Sequence, residues 1–170
     1  RDTLYVSMGS AFGYLAGVDL AAGNTVMQIS LPGSNQPDGI TGDSSGNLWL
    51  VDSRANALFR VRLADRSTTK FNVIGLATAA QDLYFDSLLN RLIIVAWQYE
   101  PIQSYDIASG TLSNIASLPS GYIDGIARDQ DHVQPIPAPL ADLLAEEADP
   151  DLLGEGGVNL RRHGRSFRGT

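Results

Sequence analysis

Pro37-Asp38-Gly39-Ile40-Thr41-Gly42-Asp43-Ser44-Ser45-Gly46-Asn47-Leu48-Trp49-Leu50-Val51-Asp52 holds the pattern that decides the fold. A short run opens at an Asp-Gly pair, closes at an Asp, turns through Ser-Ser-Gly-Asn and continues into an apolar run. Two antiparallel strands joined where Gly supplies a positive φ read this way. The pattern recurs as Asp82-Leu83-Tyr84-Phe85-Asp86 and as Asp124-Gly125-Ile126-Ala127-Arg128-Asp129. Around it lie further sets in step. Leu4, Leu48 and Leu92 open apolar runs at spacings of 44 and 44, and Val18, Val61 and Tyr105 open a second set at 43 and 44. Leu31, Ile74 and Leu118 end a third set at 43 and 44. Four strands in each unit of about 43 residues is the signature of a β-propeller blade.

With the Asp-Gly set as inner strand a, residues 3–31 supply strands b, c and d of one blade, and 38–74 and 82–118 supply complete blades. The repeats are therefore 1–35, 36–78 and 79–120, with one further strand at 122–130. The turns Ala21-Ala22-Gly23-Asn24 and Ala108-Ser109-Gly110-Thr111 join c to d. Propellers have roughly four to eight blades, and about three would leave sheet edges open. The expectation is an all-β propeller fragment, part of a six-bladed ring in a longer protein; the other solution is a homodimer in which each chain contributes half a ring.

The remaining residues, 131–170, are of a different kind. The first 130 residues hold 8 basic and 12 acidic side chains and every aromatic except Phe167, whereas the last forty hold 4 basic and 7 acidic. His132-Val133-Gln134-Pro135-Ile136-Pro137-Ala138-Pro139 stands where a turn and a strand are due, and alternating prolines favour an extended linker. Leu140 to Ala148 reads as a short acidic helix with Pro139 at its first turn, and the composition after Gly154 predicts disorder. So abrupt a loss of register also suits a shifted reading frame or a mis-joined gene model.

Composition excludes several functions. The net charge is −7 and no stripe of Lys and Arg occurs in the repeats, so nucleic acid is a poor partner. There is no Cys, hence no disulfide framework, thiolate metal site or Cys nucleophile. Both histidines, His132 and His163, lie outside the repeats, which excludes a Ser-His-Asp triad or a His-based zinc site within the blades. No apolar run approaches the roughly 20 residues that span a bilayer. The chain opens at Arg1 with no Met and no signal-like segment, so a truncated N-terminus is expected and localisation is not legible.

Strand alternation predicts which face carries chemistry. The d-to-a and b-to-c connections share one end of an up-and-down blade. Asp38, Asp82 and Asp124 begin inner strands and should ring the channel there, beside loops carrying Tyr14, Arg54, and the cluster Trp97, Tyr99 and Glu100. These five loop residues are candidates for contacting a small-molecule or protein ligand. Carboxylates about 7 Å apart repel by roughly 2 kcal/mol at an effective dielectric near 20, which favours a counter-ion. Ca²⁺ or another divalent metal, held by Asp38, Asp82 and Asp124, would cancel the repulsion. The competing reading is structural, each Asp accepting N–H groups of its own turn.

Pro37 to Ser53, continuing through Asn56 to Leu58-Phe59-Arg60-Val61, resembles the six-bladed propellers of the SMP-30, gluconolactonase and NHL-repeat group. In the SMP-30-like lactonases a Pro-Asp-Gly motif supplies an Asp that ligates a divalent metal and serves as base, beside a Glu and an Asn from other blades. The resemblance sets Asp38 at that position; the corresponding places in the other repeats read Gln81-Asp82 and Ile123-Asp124. NHL-type propellers share the Gly-Ile and Asp-x-x-Gly-Asn pattern and bind without catalysis. Two expectations follow: a ligand- or partner-binding propeller that uses the Asp38 face, and a metal-dependent lactonase or hydrolase with Asp38 catalytic, whose activity would require the rest of the ring.

Overall fold

The computed structural model describes residues 2–9, 12–97, 101–117, 123 and 125–127, all within one unit, Arg1–Arg128. Eleven strands are present: β1 (Thr3–Met8), β2 (Tyr14–Asp19), β3 (Asn24–Ser30), β4 (Pro37–Gly42), β5 (Asn47–Asp52), β6 (Ala57–Arg62), β7 (Ser67–Phe71), β8 (Ala80–Asp86), β9 (Arg91–Ala96), β10 (Ile102–Asp106) and β11 (Leu112–Ala116). They form three antiparallel sheets in chain order, β1-β2-β3, β4-β5-β6-β7 and β8-β9-β10-β11. These are the blades expected from the repeats. The readings made for 131–170 fall outside the described residues.

Most of the described hairpin turns form where the sequence permits a left-handed residue, although the β6–β7 turn holds Arg66 at φ 59°. Gly23, Gly46 and Gly110 have φ of 67°, 78° and 70°, and Asn56 and Asn90 take φ of 47° and 49° in turns where an Asx side chain tolerates that region. Acidic residues then fix the a-to-b turns. Asp43 accepts the N–H of Ser45 and Asn47 and the Nδ2 of Asn47, and Asp86 accepts the N–H of Leu88 and Arg91 Nε at 3.1 Å.

Blades meet face to face through two apolar layers. Between the first and second lie Leu15, Ile29, Leu31, Leu48, Leu50, Phe59 and Val61. Between the second and third lie Trp49, Val51, Leu58, Leu83, Phe85, Leu92 and Ile94. Adjacent residues of β5 thus serve opposite neighbours, Leu48 and Leu50 one blade and Trp49 and Val51 the next, as a strand buried on both faces requires. Trp49 is the pivot of the second layer. Its ring lies 5.3 Å from Phe71 and 6.3 Å from Tyr105, the Arg60 guanidinium stands 5.8 Å above it, and its Nε1 donates to Asp43 at 2.9 Å. Tyr5, at the same repeat position, packs on the first layer, whereas Ile93 is half-buried and joins neither. Its face of β9 points away from the second blade. At the periphery Thr68 Oγ1 and Lys70 Nζ donate to the carbonyls of Ser30 and Gly33, tying neighbouring outer strands together.

Candidate functional site

Ser53 N–H bonds to the Gln36 carbonyl and Trp97 N–H to that of Ala79, so each b-to-c turn lies beside the connection that enters its own blade. At this end the inner strands β4 and β8 come together. Their approach is possible because residue 39 is Gly: a Cβ there would stand 2.5 Å from the Asp82 Cα and overlap Asp82 Oδ1. Asp38, Gly39, Ile40, Gln81 and Asp82 line an open hollow of about 400 Å³.

The two carboxylates in this hollow have different surroundings. Asp82 is satisfied at both oxygens, Oδ1 by Leu83 N–H at 2.8 Å and Oδ2 by Ile126 N–H at 3.0 Å. Among the described residues the Asp38 carboxylate accepts one long bond, from Gln36 Nε2 to Oδ1 at 3.3 Å, and its Oδ2 is buried with no hydrogen-bond partner. A buried carboxylate oxygen without a donor is costly, of order 1–3 kcal/mol or more for a charged group, and marks a place where a donor or cation is due.

Strand register explains the difference and corrects the alignment of the repeats. Ile40 pairs with Leu50 and Gly42 with Leu48; Leu83 pairs with Ile94 and Phe85 with Leu92. Leu83 therefore holds the place of Ile40, Asp82 that of Gly39, and Gln81 that of Asp38. The inner Asp and the turn Asp are five residues apart in the second repeat, Asp38 to Asp43, and four apart in the third, Asp82 to Asp86. A one-residue offset in a strand turns a side chain to the opposite face. Asp82 consequently sits against Gly39, in space that an Ala would fill, instead of repeating Asp38 around the channel.

Sequence reasoning passed over Asp52, a fully buried carboxylate at the end of β5. Its Oδ2 accepts Ser34 Oγ and the N–H groups of Asn35 at 2.7 Å and Gln36 at 3.0 Å, and its Oδ1 accepts those of Arg54 at 3.1 Å and Ala55 at 2.6 Å. Burial pushes this carboxyl up, but the Ser34 hydroxyl and the N–H groups of Ala55, Asn35 and Gln36 outweigh it and hold it below the ordinary value. Asp52 thus anchors the connection that delivers Asp38. The third blade does the same job with Gln103, whose Oε1 accepts Ala77 N–H and whose Nε2 donates to the Gly75 carbonyl and Asn114 Oδ1. The available signal was an Asp ending an otherwise apolar strand before a Ser-x-x-Asn turn.

Of the loop candidates, Tyr14 begins β2 half-buried, Arg54 is exposed in the turn after β5, and Trp97 follows β9 at 38% exposure. All three share the end that carries Asp38, and none lines its hollow. Tyr99, Glu100 and Asp124 lie outside the described residues.

A solved structure of similar fold is that of virginiamycin B lyase from Staphylococcus aureus, a β-propeller, with a TM-score of 0.52 and 16% identity over 66% of this chain and 40% of that chain. The likeness shows the β-propeller fold, and this chain spans about 40% of the lyase's length. No family model matches the chain, and no curated protein matches it.

Proposed function

We propose that the chain belongs to a ligand-binding β-propeller of the SMP-30 and NHL-like type, and that its ligand sets a cation or a hydrogen-bond donor against Asp38. One observation carries this reading: Asp38 Oδ2 is a buried acceptor without a donor among the described residues, beside an open hollow, while its neighbour Asp82 has both oxygens engaged. A site breaks the symmetry of a repeat, and Asp38 is where the symmetry breaks. The Pro-Asp-Gly motif supports the assignment to this group.

The second reading, a divalent-metal-dependent lactonase or hydrolase, rests on the same Asp38. Its oxygen donors are of the hard type that Ca²⁺ takes. Among the described residues, however, no three His, Cys, Asp or Glu side chains are grouped so as to hold a metal, and Asp82 has both oxygens occupied by N–H groups. The carboxylates among the described residues do not by themselves make up a metal site.

Thermal melting and calorimetric titration with CaCl₂, MgCl₂ and a series of alkylammonium salts test the proposal. Binding at a hundred times Kd stabilises by about 2.7 kcal/mol. The expected result is a rise in Tm with at least one probe that Asp38→Asn abolishes; a response identical in Asp38→Asn, or none from any probe, overturns it.

A further inference from the structure

The outer strands of the first and second blades are tied together by Thr68 and Lys70 of β7, which donate to the Ser30 and Gly33 carbonyls. Thr68 stands opposite Val61 and Lys70 opposite Phe59; at the matching ladder positions of the third blade, Leu112 stands opposite Tyr105 and Asn114 opposite Gln103. Leu112 has no side-chain donor, and the Asn114 Oδ1 is engaged by Gln103 Nε2. Among the described residues neither side chain bonds to β7. The periphery between the second and third blades is accordingly open, as a hollow of about 550 Å³. Small-molecule sites occupy roughly 300–1,000 Å³.

The lining of this hollow is apolar at Phe71, Val73, Ile74 and Leu112, and polar at Asn72 and Tyr105. The Tyr105 hydroxyl lies toward Gly110, 3.6 Å from where a Cβ on that residue would stand. The corresponding c-to-d turn of the second blade holds Arg66 at φ 59°, so a turn of this kind accommodates a side chain; Gly110, at φ 70°, leaves the space beside the hydroxyl clear. Two donors here have no acceptor among the described residues. The Tyr105 hydroxyl makes no hydrogen bond, and the half-buried Arg60 guanidinium makes neither a hydrogen bond nor an ion pair. Arg60 rests 5.5 Å from the Phe71 ring and 5.8 Å from that of Trp49, contacts that leave its in-plane N–H groups available. Burial pushes the Tyr105 hydroxyl pKa up, the charge of Arg60 opposes the shift and that of Asp106 adds to it. The neighbouring charges are otherwise committed: Asp106 Oδ1 accepts the Ser109 N–H and hydroxyl, and Lys70 Nζ lies over the Phe59 ring while bonded to Gly33.

We propose that this peripheral hollow binds an organic anion, a carboxylate or sulfonate carried on an aromatic body. The anionic group accepts the Tyr105 hydroxyl and lies in the field of Arg60, and the body rests on Phe71, Val73 and Leu112. Charge selects the ligand. A cation is repelled by the unpaired guanidinium, which already occupies the aromatic faces that would attract one. A neutral apolar body would cover the two donors without supplying an acceptor, which is unfavourable. The features that make the hollow are the ones in which the third blade departs from the second: Tyr105 in place of Val61, Gly110 in place of Arg66 and Leu112 in place of Thr68. The site shares no lining residue with the hollow at Asp38 and stands independently of it.

Fluorescence titration of the 170-residue chain with anilinonaphthalene sulfonate tests the proposal, with phenylnaphthylamine, the same body without the sulfonate, as the comparison. Saturable binding of the sulfonate is expected, with the neutral probe about tenfold weaker or more. Tyr105→Phe removes only the hydroxyl and should weaken the sulfonate by about tenfold while leaving the neutral probe unchanged. Arg60→Gln, which keeps much of the side chain over the rings, should weaken it on the order of fivefold. Asp38→Asn, outside this hollow, should change neither. No saturable binding, equal affinity for the two probes, or a sulfonate affinity indifferent to Tyr105→Phe overturns the proposal. So does a loss of binding in Asp38→Asn, which would put the probe in the other hollow. If Arg60→Gln does not fold, as its urea midpoint will show, Tyr105→Phe decides alone, because it keeps the ring in the core.

Discussion

Asp82 lies directly against Gly39, its Cα 2.5 Å from where a Cβ on residue 39 would be, and from there its carboxylate reaches Ile126 N–H at 3.0 Å. One close contact between inner strands thus determines how β4 and β8 sit and which backbone the Asp82 carboxylate can hold. It also leaves Asp38, one residue earlier on β4, without an equivalent acidic neighbour in the next blade.

Gly39→Ala should consequently cost about 1–3 kcal/mol, the usual range for overpacking against backbone. Gly46→Ala, which meets no atom within 4 Å but sits at φ 78°, should lose less, about 1 kcal/mol. Urea unfolding of the two variants compares them; equal losses would show that the Gly39 contact is not tight.

Ala79, which enters β8, adopts φ 56°, a region that an L side chain reaches only at a cost. Its carbonyl accepts Trp97 N–H at 3.0 Å, and this bond holds the conformation in place. Ala79→Gly is expected to raise stability by about 0.5–1 kcal/mol, read as a higher urea midpoint at unchanged slope.

Asp52 should make the protein acid-sensitive. Its carboxyl is held below the ordinary 3.8, as is that of Asp43, where burial pushes up and bonds from Asn47, Trp49 and Ser45 prevail. A carboxyl lowered on folding contributes stability that is fully present above its unfolded value and is lost as the pH falls through the native one. The midpoint should hold from pH 7 to about 5 and drop below 3.8. Asp52→Asn turns an NH₂ toward N–H donors and should cost about 3 kcal/mol at pH 7 while flattening the acid limb. A variant with wild-type acid sensitivity would show that Asp52 is not its source.

Gln103→Leu should cost about 2–3 kcal/mol, because it strands the Ala77 N–H, the Gly75 carbonyl and the Asn114 side chain together. Hydrogen exchange at Ala77 should accelerate more than exchange within β5. Uniform acceleration would instead mean that Gln103 supports the whole core.

The blades were legible because each of their signals is local. Gly23, Gly46 and Gly110 take positive φ in the turns where their spacing put them, and Asp43 and Asp86 bond the turns that they begin. The repeat likewise set Asp38 at the start of an inner strand, where β4 begins. What the chain's order could not reveal was pairing across distance. Asp52 draws its donors from Ser34, Asn35 and Gln36, sixteen to eighteen residues away, and Asp82 bonds Ile126 at a separation of 44. The likeness of Asp82 to Asp38 is real as sequence and false as position, because the third repeat is one residue shorter between its two Asp residues and the ladder from Phe85 to Leu92 counts from the turn. Turn chemistry and strand period are properties of a few consecutive residues, so the sequence alone determined the blades. Which carboxylate is satisfied and which is left facing the hollow depends on the register between strands and on the approach of one blade's backbone to the next, and only the tertiary structure decided it.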